Sequence, residues 1–115
     1  MSSSHKGFMS DDAQGILVSL GANIEIARTR RRLKISTVCS RAGITSQTYQ
    51  RLKRGDGGIS LAVLMNVLNA LDMASMMSLV AAPEQDHVGL ALERAAAPER
   101  IRKEGEGDGQ LDPNW

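Results

Sequence analysis

The sequence predicts an all-α fold: a compact five-helix domain over residues 11–82, followed by a tail. Three observations carry this. Apolar residues recur at helical spacing in successive stretches, and caps and glycines stand between those stretches where helices should start and stop. Only three of the 115 residues are aromatic, so the core must come from Leu, Ile, Val, Met and Ala, as in helical bundles. The length suits one compact domain with a tail.

Residues 1–10 are serine-rich and expected to be disordered. Ser10 followed by Asp11 and Asp12 is a cap with first-turn acids. Ile16, Leu20, Ile24 and Ala27 then keep helical spacing to about Arg32. Gly15 and Gly21 weaken the early part, so the firm helix is expected from near Leu20. Residues 35–42 form the second helix, with Ile35, Val38 and Ala42 on one face and Cys39 toward the core. Gly43 can take the positive φ that ends it, and Ile44 plugs the corner.

Thr45 is a good N-cap for a third helix over residues 46–54, which Gly55 is placed to end. Its bulky residues, Tyr49 and Leu52, lie three apart, so one narrow side buries. The other side offers Ser46, Gln47, Gln50, Arg51, Lys53 and Arg54 without an acidic residue. Amide, hydroxyl and guanidinium groups on a short helix suit a DNA groove. After a glycine-rich turn, Ser60 caps a fourth helix with Leu61, Leu64, Met65, Leu68 and Leu71 at helical spacing. Val63 and Val67 lie off that stripe, which predicts burial on most sides. Residues 73–82 read as a fifth helix with surplus methionine.

Pro83 ends that helix. Residues 83–115 form an acidic tail, in which 87–97 admit either helix or strand. Gly105 to Pro113 reads as disordered, and Trp115 is a candidate anchor for a partner.

The net charge of +1 conceals a division. Residues 26–56 hold nine basic residues against one acidic, whereas residues 73–115 hold four against eight. A basic centre points to a polyanion partner there. An enzyme is disfavoured: no Ser/His/Asp set, phosphate-binding glycine loop or metal-ligand spacing is present, and no cofactor is expected. The single Cys39 fits a reducing cytosol. With no apolar run of membrane-spanning length and no signal peptide, a cytoplasmic protein without membrane contact is expected.

The stretches Arg41-Ala-Gly-Ile-Thr-Ser-Gln-Thr, Arg51-Leu-Lys-Arg-Gly and Ile59-Ser-Leu-Ala-Val-Leu resemble the lambda-repressor-like (Cro/C1-type, XRE) helix-turn-helix domain. The likeness spans roughly residues 16–82. It implies a dimeric transcriptional regulator on double-stranded operator DNA, with residues 46–54 as recognition helix. Ser46, Gln47 and Arg51 are the expected base contacts, with Arg51 as a phosphate clamp the alternative. Lys34, Thr45, Thr48, Gln50, Arg54 and Ser60 are the expected phosphate contacts. The family commonly pairs its fifth helix across a two-fold axis, which makes Met73, Met76, Met77 and Val80 the expected homodimer interface, with core packing the alternative.

Two positions depart from the family pattern. Lys34-Ile35 stands where many relatives have Thr-Gln, so a glutamine–phosphate clamp is missing. Lys53 stands where relatives tend to have a glutamate paired with the arginine corresponding to Arg28. Lys53 is therefore expected to swing outward to Asp56 or a phosphate, at some cost in stability.

The tail sequence Asp86-His-Val-Gly-Leu-Ala-Leu-Glu-Arg, with Pro98-Glu-Arg-Ile-Arg, resembles that of HipB-like antitoxins. This implies autorepression of an operon and inhibition of a HipA-like kinase toxin. The alternative is a stand-alone or phage-type repressor without a toxin partner.

Overall fold

A computed structural model describes residues 9–107, with side chains as far as Ala97. Among the described residues every regular element is helical: α1 Asp11–Arg30, α2 Ile35–Ala42, α3 Ser46–Lys53, α4 Leu61–Ala70 and α5 His87–Gly107, with 3₁₀ stretches at Ala74–Leu79 and Pro83–Gln85. The chain divides into two compact units, Met1–Met77 and Ser78–Trp115.

In the first unit, three helices begin on a hydroxyl. Ser10 accepts from the Ala13 N–H, Thr45 from Thr48 and Ser60 from Val63, each at 3.1 Å. Each such cap satisfies an otherwise orphaned N–H and contributes about 1 kcal/mol. The ends are equally regular. After α3, the Gly55 N–H reaches the Leu52 carbonyl and the Asp56 N–H reaches that of Arg51, with Gly55 at φ 83°. This paired closure is a Schellman motif. The same pair of bonds closes α1 at Arg32 and α4 at Asp72, both at positive φ. Gly43, at φ 70°, ends α2.

The core gathers Ile24, Ala27, Val38, Cys39, Ala42, Tyr49, Leu52, Val67, Leu68 and Leu71. It lies where α2 packs on α3 and α4, and α1 on α3. Gly21 fixes how closely α1 and α3 approach. A Cβ there would stand 2.4 Å from the carbonyl oxygens of both Leu52 and Lys53.

Several expectations need correction. The first helix is intact from Asp11, so Gly15 and Gly21 do not delay it; the Ser10 cap and the contact at Gly21 offset their low propensity. Met9, placed in the N-terminal segment expected to be disordered, sets its sulfur against Gly57; Met1–Phe8 lie outside the described residues. Ile16 is 68% exposed, because the buried stripe runs back from Gly21, Ile24 and Ala27 through Leu17. In α4 Leu61, expected within the buried stripe, is 72% exposed, whereas Val67, off that stripe, is fully buried in keeping with the burial expected on most sides.

The α-helix expected over 73–82 is not formed. Asp72 takes positive φ, six residues follow as 3₁₀, and Ala81 again takes positive φ. In this stretch Met73 and Met77 pack against the core, and Ala82 is buried beyond them in the sequence. Two anchors supply little of the tertiary packing that a helix needs to overcome its nucleation cost.

In the second unit the tail is helical. The Asp86 carboxylate accepts from the Gly89 N–H at 2.9 Å and starts α5. This removes the strand alternative at 87–97 and shortens the segment expected to be disordered, since Gly105–Gly107 belong to α5. Val88 and Leu92 are exposed. Residues 108–115, including Trp115, lie outside the described residues.

Candidate nucleic-acid interface

Helix α3 separates its residues by side. Tyr49 and Leu52 are buried. At 100° per residue, Gln47, Gln50, Arg51 and Arg54 project opposite to them. Ser46, Gln47 and Arg54 are exposed, while Gln50 and Arg51 are half-buried. Thr45 and Thr48 are engaged with each other: the Thr45 hydroxyl accepts from the Thr48 N–H and donates to the Thr48 hydroxyl at 3.1 Å. Ser60 likewise spends its oxygen lone pair on Val63, leaving its O–H as a donor. Lys34 is exposed at the N-cap of α2, where no side chain caps the helix.

Arg51, an expected DNA contact, also has a protein partner. Its Nε donates to Asp56 Oδ2 at 2.8 Å, and Asp56 Oδ1 accepts from the Gly58 N–H at 2.8 Å. The Asp56 side chain is only 8% exposed.

Lys53 does not swing away from Arg28 as expected. Glu25, three residues before Arg28 on α1, lies between the two cations. Its carboxylate takes Arg28 Nη2 at 2.5 Å and Nε at 3.1 Å, accepts from the Tyr49 hydroxyl at 2.7 Å, and lies 3.9 Å from Lys53 Nζ. Arg28 also donates from Nη1 to the Leu33 carbonyl at 2.5 Å. The Arg28 hydrogen bond, opposed by burial and reinforced by Tyr49, holds the Glu25 carboxyl down at about 2. Burial first, and then the bond to Glu25, pushes the Tyr49 phenol up to about 12. Glu25 thus supplies from α1 an acid that α3 itself lacks. The charge window that starts at Ile26 omits it by one residue. Its signal was the i,i+3 spacing to Arg28.

The basic centre therefore splits in two. Arg28 pairs with Glu25 and Arg51 with Asp56, and Lys53 lies more loosely beside Glu25. Arg30, Arg32, Lys34, Arg41 and Arg54 are exposed, and among the described residues no carboxylate pairs with them. Arg31, also exposed, donates back to the Ala27 carbonyl.

A scan against protein-family models and searches of curated proteins and of solved structures gave no match. No helix among the described residues is long and apolar enough to cross a membrane.

Proposed function

We propose that the first unit is a lambda-repressor-like helix-turn-helix domain, α2 and α3 forming the motif, and that the protein is a sequence-specific transcriptional regulator of double-stranded DNA. One observation carries the reading. The outward side of α3 has amide and guanidinium groups without a carboxylate of its own, and Lys34 and Arg54 are exposed cations with no carboxylate partner among the described residues. Ser46, Gln47 and Arg51 read bases; Lys34, Gln50, Arg54 and the Thr45, Thr48 and Ser60 hydroxyls hold phosphates. Two copies then read half-sites about 10–10.5 base pairs, or a multiple, apart. Of the residues assigned to the homodimer, Met76 and Val80 are exposed and suit the role best.

The likeness of residues 86–102 to HipB-like tails supports autorepression and inhibition of a HipA-like kinase. A stand-alone repressor is the competing reading, favoured if no kinase co-purifies. The direct test is binding to the DNA upstream of the protein's own gene, titrated with salt. Lys34→Ala and Arg54→Ala should each weaken all sequences alike and lower the log–log salt slope by about 0.9. Absence of any salt-dependent DNA binding by the wild-type protein would refute the reading.

A further inference from the structure

We infer that Asp56 is a positioning residue for base recognition, holding the Arg51 guanidinium so that its terminal fork faces the groove. This rests on the DNA-binding reading above and adds to it a residue outside the recognition helix.

The geometry comes from the end of α3. Gly55 stands at φ 83°, and a Cβ there would lie 2.7 Å from the backbone of Val18. Its carbonyl accepts from Gln14 Nε2 at 3.0 Å. The turn is thus clamped to α1. The Schellman closure brings the Asp56 N–H onto the Arg51 carbonyl at 3.0 Å, which sets the Asp56 side chain beside that of Arg51. Asp56 is itself fixed: one carboxylate oxygen holds the Gly58 N–H, and the other holds Arg51 Nε.

A guanidinium is a planar fork with five N–H donors. Engaging Nε on one edge leaves the Nη1–Nη2 edge pointing away from Asp56. That edge is the one that pairs in two-pronged fashion with guanine O6 and N7. A free arginine would lose rotamer entropy on binding, whereas this one is already restrained. The pair also has little net charge, so Arg51 adds specificity without adding much to non-specific attraction. These features favour a reader over a phosphate clamp, which needs only charge.

Asp56→Asn tests this with two opposed signs. The asparagine oxygen can keep the Gly58 N–H, but its amide presents a donor to the donor Nε. Wild-type and variant proteins are each used to select duplexes from a randomised 20-base-pair pool. Binding to the wild-type winner and to its single-base variants is then measured. The variant should lose about fivefold or more in discrimination at one G·C pair. It should also bind unselected DNA more tightly, with a salt slope steeper by up to about 0.9, because a carboxylate is gone. A merely structural Asp56 would not raise non-specific affinity while lowering preference at one position. Arg51→Lys, which keeps the charge but not the fork, should lose the same preference. It also keeps the test alive if Asp56→Asn folds poorly. Wild-type preference surviving in Arg51→Lys, or in folded Asp56→Asn, overturns the inference alone. A wild-type protein that selects no sequence from the pool overturns the DNA-binding reading with it.

Discussion

Replacing Glu25 with glutamine removes a charge from the centre of the first unit while keeping its size. In the folded chain the carboxyl titrates at about 2 rather than its ordinary 4.5. At 1.36 kcal/mol per unit that difference corresponds to about 3 kcal/mol of preference for the ionised form, or about 2–3 kcal/mol once screening of a partly exposed group is allowed for. Its sign follows from linkage. The folded pKa is depressed, so the unfolded chain binds more protons between the two values. The contribution is complete above about pH 5 and is lost as pH falls through 2. Glu25→Gln should therefore unfold at lower urea at pH 7, by about 2–3 kcal/mol. The gap to wild type should narrow steadily below pH 4.5 and close near pH 2. Urea titrations followed by circular dichroism at pH 7, 4.5, 3.5 and 2.5 measure that gap. A constant gap across those pH values would refute the assignment of Glu25 as the ionised partner of Arg28 beside Lys53.

At the other limit, the Tyr49 phenol is raised to about 12, so its contribution is full below pH 10 and disappears as pH rises through 12. Tyr49→Phe should cost about 1 kcal/mol at neutral pH and remove that alkaline loss, as read by urea titration at pH 7, 10 and 11.5. Gly21→Ala should destabilise by about 1–3 kcal/mol because α1 and α3 must part to admit the methyl; this outweighs the gain of about 1 kcal/mol in helix propensity, and thermal melting with a lowered midpoint is the expected result. Met76→Asp should leave the fold unchanged and give monomers in sedimentation, with weaker binding to paired half-sites; an unchanged dimer would place the interface elsewhere.

How much was legible in advance differs from element to element. The caps at Ser10, Thr45 and Ser60, the stops at Gly43 and Gly55 and the burial of Tyr49 and Leu52 could all be read from neighbours within one or two turns, because capping, backbone freedom and helical periodicity are local. So could the helical segments of the first unit as far as Ala70. Residues 73–82 resisted the same reasoning. Their apolar content allowed a helix, but Met73 and Met77 are its anchors on the core, and without a longer packed face the chain settles into 3₁₀ geometry. Which apolar residues turn inward, Leu17 rather than Ile16 in α1 and Val67 far more than Leu61 in α4, depends on where the partner helix lies. The charge network is the clearest division. The sequence by itself determined that cations crowd residues 26–56 and that α3 is free of acids. Only the tertiary structure decided which cations remain available, because Glu25 reaches Tyr49 and Lys53 across the α1–α3 contact that Gly21 permits, and Asp56 returns to Arg51 through a turn clamped on α1. Electrostatic partnership is set by distance in space, and helical periodicity specifies that only along one helix.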